Sequence, residues 1–178
     1  MTLSNIVAFV TGGASGLGGA TAMRLASKGA KIIVADMNAE LTAKMVAKLG
    51  TDNAMPAVID VTDEASVQGA MNDAVTKFGK INVNVNCAGI GIAVKTLGKK
   101  GVHPLDSFKK VLDVNTGGTF NVLRLASEKM ALNSPDEDGF RGVIINTASV
   151  AGYGSCWWIR CLLFVLVIND PLIYSNLF

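Results

Sequence analysis

The chain has 178 residues, half of them apolar, which is enough for one globular domain with a sizeable core. Its 16 basic and 14 acidic residues give a formal net charge of only +2, and Lys and Arg are scattered along the sequence. This balance gives no support to direct nucleic-acid binding or to attachment to an acidic membrane surface. We expect a soluble domain of ordinary composition.

The cysteines and the longest apolar run argue against a zinc site and against a membrane-spanning helix. Cys87, Cys156 and Cys161 are an odd number at spacings that match no zinc signature, so we expect reduced thiols and no metal site. Residues 161–168 are apolar but fall well short of the roughly 20 residues that a membrane-spanning helix needs. We therefore expect no membrane span.

The first third of the chain alternates strands and helices. Residues 6–10 form a continuous apolar run that ends at glycines, which is typical of a strand covered on both faces in a parallel sheet. Residues 16–28 follow a helical pattern that stops at Gly29. Residues 31–36 form a second strand, and Asn38 caps a helix that ends near residue 49.

The alternation continues through residue 147. Residues 54–60 and 81–86 are predicted strands, and Thr62 is predicted to cap a helix between them that ends at residue 78. After a loop from residue 89 to 104, the apolar spacing predicts helices over residues 105–113 and 119–132 and a fifth strand over 143–147. Such a series predicts an α/β fold, a doubly wound parallel sheet of Rossmann type.

The glycine turn after the first strand has the spacing of a dinucleotide site. Gly12, Gly16 and Gly18 lie between a buried strand and the start of a helix. Glycines let the backbone turn sharply and approach a pyrophosphate, and the amides and dipole of the helix N-terminus attract its charge. A glycine-rich turn alone is weak evidence, since such turns also occur for structural reasons. The strand before it and the helix after it strengthen the interpretation.

Asp36 ends the second strand, 20 residues after Gly16. An acidic side chain at this separation hydrogen-bonds the ribose 2′-hydroxyl of NAD and repels the 2′-phosphate of NADP. The alternative is a solvated aspartate at a strand end.

Asp60 and Val61 follow the third strand, and the run Asn86-Cys87-Ala88-Gly89 covers the end of the fourth. Carboxyl ends of parallel strands face the ligand crevice, so both segments are placed to touch the adenosine part.

With these motifs in order, followed by Asn115 and Ser149, the sequence resembles the short-chain dehydrogenase/reductase family. Within the family, the run from Asn86 to Gly89, the loop 95–104 and the segment 142–151 are most similar to enzymes of 3-hydroxyacyl-CoA thioesters and hydroxysteroids. The likeness covers residues 6–153. It implies an incomplete family sheet with strands 1 to 5, in residues 1–153, followed by a divergent apolar segment, residues 154–178.

The resemblance implies NAD-linked oxidation of a secondary alcohol on an acyl-CoA or steroid substrate, by a mitochondrial homotetramer. Met1 to Asn5 contain no evident targeting signal, so the mitochondrial address depends on the resemblance alone. Carried over by position, Ser149 hydrogen-bonds the reacting oxygen and Asn115 holds a proton-relay water. The implied NAD contacts are Gly12, Ser15, Gly16, Leu17, Gly18, Asp36, Asp60, Val61, Cys87, Ala88 and Gly89.

The family's general base is not found in the 178 residues. The family uses a tyrosine whose pKa is lowered by a lysine four residues later. The positions that the family spacing assigns to this pair hold Leu162 and Leu166, and no Lys follows Lys129. We therefore expect a shortened, inactive family member. The alternatives are a non-catalytic NAD-binding or scaffold subunit of a mitochondrial RNA-processing complex, and a chain that does not fold alone.

Overall fold

A computed structural model of the chain describes residues 3–92, 94–99 and 101–149. Its main sheet has five parallel strands in the order β3-β2-β1-β4-β7. The strands are β1 (Val7–Thr11), β2 (Lys31–Asp36), β3 (Ala54–Val58), β4 (Val83–Asn86) and β7 (Val143–Asn146). The short strands β5 (Leu97–Gly98) and β6 (Gly101–Val102) form an antiparallel hairpin. The doubly wound α/β prediction is confirmed.

Helices cover both faces of this sheet. They are α1 (Gly16–Ala26), α2 (Ala39–Leu49), α3 (Glu64–Phe78), α4 (Leu105–Leu112) and α5 (Thr119–Ala131), with a π-helical segment, Asp113–Gly118, between α4 and α5. Alternate strand residues separate into two cores. Phe9 packs with residues of α3 and α5 on one face, while Val10 packs with Ala22 of α1 and Val46 of α2 on the other. Both faces of β1 and of the centre of β2 are buried, so these two strands carry apolar residues on both sides.

Two helix predictions need correction. The cap of α3 is Asp63, whose carboxylate accepts from the amides of Ala65 and Ser66, at 3.0 and 3.3 Å. Thr62 instead donates its hydroxyl to Asp60. A carboxylate one position closer to the helix fits the cap geometry, so Asp63 replaces the predicted Thr62. The predicted break between the helices at 113 and 119 is also wrong, because the π-helical segment joins them.

Other predicted boundaries moved by a few residues. The strand predicted over 54–60 ends at Val58, and the one predicted over 81–86 begins at Val83. Ile59 and Ile81 are nevertheless buried, at 3% and 0% exposure. Both residues are buried just outside the bounds of their strands, and the Ile59 amide still donates to the Asp36 carbonyl at 3.0 Å. The sequence pattern cannot separate such residues from the strand itself. The predicted loop 89–104 contains the β5–β6 hairpin.

The predicted segment 154–178 and Tyr153 lie outside the described residues. Within the described ranges, none of the helices combines the length and apolar character that crossing a bilayer requires. The same ranges contain no group of three or more His, Cys, Asp or Glu side chains that could hold a metal ion.

Candidate cofactor and reaction site

The turn between β1 and α1 is closed so tightly that it needs glycine. Gly12 has a φ of +62°, and a Cβ there would lie 2.9 Å from the backbone oxygen of Cys87. A Cβ on Gly18 would overlap the carbonyl of Gly12. Gly16 also has a positive φ, +53°, with open space where its Cβ would be. The turn therefore presents bare backbone at the carboxyl edge of the sheet.

The N-terminus of α1 is open to an anion. Its N-cap, Ser15, has extended backbone and makes no side-chain capping hydrogen bond, and the first turn carries no acidic residue. The first amides of a helix have no intrahelical acceptor, and the helix dipole makes that end positive. Leu17 lies in this first turn and is 72% exposed. These features match a pyrophosphate cradle.

Asp36 lies at the end of β2 and is hydrogen-bonded to the glycine turn. One carboxylate oxygen accepts from the amide of Ala14 at 3.2 Å, and the other accepts from the amide of Asn38 at 3.1 Å. The carboxylate is thereby held beside the open N-terminus of α1. A carboxylate oxygen accepts more than one hydrogen bond, so both oxygens retain capacity for ligand hydroxyls.

Thr11 joins the turn after β1 to the turn after β4. Its side chain is buried, and its hydroxyl oxygen accepts from the amides of Cys87, at 3.2 Å, and Ala88, at 3.1 Å. The Cys87 amide also donates to the Thr11 carbonyl. This connection was not predicted from the sequence, where the only signal is a hydroxyl at the end of an apolar strand. It places Cys87 and Ala88 directly beside the glycine turn.

Asn115, in the π-helical segment, is hydrogen-bonded to the loop after β4. Its side-chain oxygen accepts from the amide of Ile90 at 2.8 Å, and its side-chain nitrogen donates to the carbonyl of Ile90 at 2.9 Å. A Cβ on Gly89 would come within 3.3 Å of the Asn115 oxygen. The side chain therefore fixes this loop against the helix. The proton-relay role assigned to Asn115 stays a prediction.

Asp60 and Val61 form a tight turn after β3. One Asp60 oxygen accepts from the amide and the hydroxyl of Thr62, at 2.9 and 2.7 Å. Val61 is buried, its side chain packs in the core, and its carbonyl accepts from the side chain of Asn121. A buried Val61 can offer a ligand little surface, and Gly18 is the other buried residue of the predicted set.

Buried amide side chains connect β4 to β7. Asn86 donates to Asn84 and to Asn146, both at 2.9 Å, and Asn84 donates to the carbonyl of Phe9 at 3.3 Å. The sequence signal for this network is an Asn-x-Asn repeat inside an otherwise apolar strand. Because Asn86 and Asn146 are register partners, the network aligns the ends of the two strands.

The end of β7 brings the predicted Ser149 to the same edge. The intervening Thr147 donates its hydroxyl to the sulfur of Cys87 at 3.3 Å, which links the strand end to the turn after β4. Ser149 is half-buried and follows three residues after β7. The predicted site residues therefore gather at the carboxyl edge of one parallel sheet, where ligands bind in doubly wound folds.

A family model described as "short chain dehydrogenase" matches residues 6–159. The chain belongs to the short-chain dehydrogenase family. The resemblance on which the sequence prediction rests is thus confirmed. The chain is 51% identical over 154 residues to the human 3-hydroxyacyl-CoA dehydrogenase type-2, covering 85% of this chain and 59% of that one. It is 48% identical over 153 residues to the Drosophila melanogaster protein of the same name, covering 85% and 60%.

Solved structures of other family members share the fold. A 3-hydroxyacyl-CoA dehydrogenase type-2 from Mycobacterium avium superposes with a TM-score of 0.85 at 32% identity, covering 92% of this chain and 64% of that one. An NAD⁺-bound xylitol dehydrogenase gives a TM-score of 0.82 at 33% identity, covering 94% and 62%. The chain spans about 60% of the length of the curated relatives it matches.

Proposed function

We propose that this chain is the NAD-binding part of a mitochondrial dehydrogenase that oxidises the secondary alcohol of 3-hydroxyacyl-CoA or hydroxysteroid substrates. The observation that carries the proposal is the Asp36 carboxylate, held by the amide of Ala14 beside the open N-terminus of α1. An acid in this position pairs with the ribose hydroxyls of NAD, while the helix end takes the pyrophosphate. The names of the relatives supply the 3-hydroxyacyl-CoA class, and the hydroxysteroid substrates are implied by the family resemblance alone.

Different residues around the turn would contact different parts of the cofactor. The amides of Ser15, Gly16, Leu17 and Gly18 hold the pyrophosphate, and Asp36 holds the adenosine ribose. Bound NAD supplies a hydride acceptor. The adenosine side is lined by the turns after β3 and β4, whose members are Asp60, Val61, Cys87, Ala88 and Gly89.

Ser149 has one task in this proposal, which is to donate a hydrogen bond to the reacting oxygen. Asn115 holds the loop after β4 in place through Ile90 and orders a relay water. Removal of the alcohol proton still requires a base. Within the 178 residues, Tyr153 and Tyr174 are followed at the fourth position by Trp157 and Phe178, so neither forms the family's Tyr-x-x-x-Lys pair. We therefore propose that the 178-residue chain binds NAD and does not turn over substrate by itself.

The same missing pair favours a second candidate function. In it the chain is a non-catalytic NAD-binding or scaffold subunit of a mitochondrial RNA-processing complex. The two candidates share the cofactor site and differ in partners, since the 178-residue chain turns over no substrate in either. A pull-down that finds no partner would count against the second candidate, and production of NADH from 3-hydroxybutyryl-CoA would contradict the proposed inactivity.

Isothermal titration of the purified chain with NAD tests the shared part. We expect saturable binding and a weaker response to NADP. Replacing Asp36 by Ala removes a charged hydrogen-bond acceptor, so NAD affinity should fall about 10- to 100-fold. Asp73 is an exposed aspartate of α3, and Asp73→Ala serves as the matched control, with NAD affinity unchanged. A chain that is folded by circular dichroism and binds no NAD would overturn the proposal.

A further inference from the structure

The amino edge of the sheet, opposite the cofactor site, contains an open cavity. Its volume is about 610 Å³, which is within the range of small-molecule sites in proteins. It lies at the amino ends of β1 and β2 and beside the last turn of α3. Since β1 has five residues, about 15 Å of sheet separates this cavity from the glycine turn. The charged side chains that line it are Lys31, Asp52, Lys77 and Lys80.

The lining of this cavity is basic. Three lysines and one aspartate, three positive charges and one negative, give it a net charge of +2, which equals the formal net charge of the whole chain. Such a concentration of one sign attracts small ions of the opposite sign. The ion pairs formed in the described part of the chain use other cations, namely Lys44, Arg124 and Lys129. Within that part, the three lysines of the cavity have no carboxylate partner.

Two of these lysines are held in place by one loop, residues 51–54. The Lys31 ammonium donates to the carbonyl of Asp52 at 3.1 Å and to the side chain of Asn53 at 2.9 Å. The Lys77 ammonium donates to two backbone carbonyls of the same loop, at 3.0 and 3.1 Å. An ammonium has three N–H donors, so each of these two lysines retains one for a ligand. The loop thereby fixes two cations beside the cavity.

Structural roles account for two of the lysines and leave the third unexplained. Lys31 and Lys77 fasten the loop 51–54, and Lys77 also lies in the last turn of α3, where a cation offsets the helix dipole. Lys80 is half-buried and makes no hydrogen bond or ion pair with any other residue that the structure describes. Lys80 therefore adds charge to the cavity without a polar contact that would stabilise the fold.

We propose that this cavity binds the diphosphate group of a small phosphorylated molecule. Three ammonium groups around one cavity suit an anion of several charges better than a single carboxylate, and lysine binds phosphate oxygens as a point charge. Phe78 also lines the cavity and offers an aromatic surface to a planar base. Because the cavity lies at the edge of the sheet opposite the glycine turn, this inference does not depend on the proposed function.

Titration of the complete chain with inorganic pyrophosphate, in saturating NAD, tests the proposal. NAD occupies the N-terminus of α1, so pyrophosphate is excluded from that end of the sheet. We expect saturable binding of one pyrophosphate per chain, which weakens with added salt because the lysines are partly exposed. Lys80→Gln should weaken pyrophosphate binding about two- to fivefold, the effect of losing an exposed ion pair. Its urea midpoint and NAD affinity should stay unchanged.

Asp52→Asn should change the affinity in the opposite direction. It removes a carboxylate from the cavity lining and keeps the size of the side chain, so pyrophosphate affinity should rise about two- to fivefold. A purely structural role of these residues would produce no increase. Lys109→Gln is the matched control for Lys80→Gln, because Lys109 is an exposed lysine of α4. An equal loss of affinity in these two lysine variants would overturn the inference, since it would show an effect of net charge alone.

The remaining outcomes identify the ligand and separate this inference from the proposed function. Binding of ADP more tightly than pyrophosphate assigns the diphosphate to a nucleotide, and equal affinities assign it to the free anion; both support the site. No saturable pyrophosphate binding to the folded, NAD-bound chain would overturn the inference and leave the NAD site in place. Single-stranded RNA that binds more tightly than both, and more weakly to Lys80→Gln, would also overturn it. A chain that binds pyrophosphate through Lys80 and binds no NAD would overturn only the proposed function.

Discussion

Replacement of Thr11 by Val tests whether the hydroxyl between β1 and β4 shapes the cofactor site. The substitution keeps the side-chain volume and removes the acceptor of two amides. The Cys87 amide still reaches the Thr11 carbonyl at 3.2 Å, so only the amide of Ala88 loses its partner. An unpartnered donor costs about 1–3 kcal/mol when it is fully buried, and less at Ala88, which is half-buried. The added methyl group returns up to about 0.8 kcal/mol.

The net loss should therefore be at most about 2 kcal/mol. For a chain of this length it lowers the Tm by up to roughly 8 °C. Urea unfolding should show a lower midpoint with an unchanged m-value. Amide hydrogen exchange gives the specific readout, because the Ala88 amide should lose protection in Thr11→Val.

Thr11→Ser is the matched control. It keeps the hydroxyl and loses a buried methyl group, so its stability falls by about 1 kcal/mol while the Ala88 amide stays protected. NAD affinity should follow the hydroxyl, with a fall in the Val variant and little change in the Ser variant. Equal protection of the Ala88 amide in both variants would refute the assigned role of the Thr11 side chain.

Three further substitutions test other connections of the site and fold. In urea unfolding, Asp63→Ala should lower the free energy of unfolding by about 1 kcal/mol by removing the cap of α3, whereas Thr62→Val should change it by less than about 0.5 kcal/mol. The reverse order would restore the cap first predicted from the sequence. Asn86→Leu should lower the free energy of unfolding in urea by at least about 2 kcal/mol, because the side chains of Asn84 and Asn146 lose a hydrogen-bond partner. A neutral result would show that the amide network contributes nothing to stability. Asn115→Ala removes the hydrogen-bond partners of the Ile90 amide and carbonyl, so the free energy of unfolding should fall by about 1–3 kcal/mol. Hydrogen exchange of the Ile90 amide should become faster, and unchanged exchange would argue against this contact in solution.

The bounds of α2 were predicted nearly to the residue, because capping residues mark both of its ends. The helix α2 has Asn38 as its cap, accepting from the amide of Leu41, and ends at Gly50, whose φ is +87°. Both residue types favour these positions for local steric and hydrogen-bonding reasons. The boundaries of β3 and β4 were predicted less accurately because buried apolar residues continue past one end of each strand. Local chemistry fixes helix ends better than burial fixes strand ends.

The π-helical segment had no usable sequence signal. Its residues include Thr116, Gly117 and Gly118, which are poor helix formers, so a break was expected. In the fold, Gly118 lies against Val61, where a Cβ would collide with the Val61 side chain. This close approach lets the helix continue past the weak residues. Tertiary packing overrides the local preference, and only the assembled sheet shows it.

The site could be predicted in outline because parallel strands end at one edge. This rule places Asp60 and Cys87 at that edge, while Asp36 is predicted from its separation of 20 residues from Gly16 and Ser149 from the family resemblance. It could not assign partners. That Asp36 binds the amide of Ala14, or that the Thr11 hydroxyl binds the turn after β4, depends on how segments far apart in the sequence close in space. Such choices are set by the tertiary fold.

The Thr11 contact also constrains the order in which the chain can fold. The hydroxyl and its partner amides are separated by 76 and 77 residues, so the glycine turn receives this anchor only after β4 has paired with β1. Closing such a long loop carries an entropic cost before the contact contributes. A nascent chain synthesised only as far as α3 would contain every glycine of the turn but would lack β4, so the site would be incomplete. Cofactor capture would then favour β1–β4 closure, adding about 2.7 kcal/mol of stability at a free concentration of 100 times Kd.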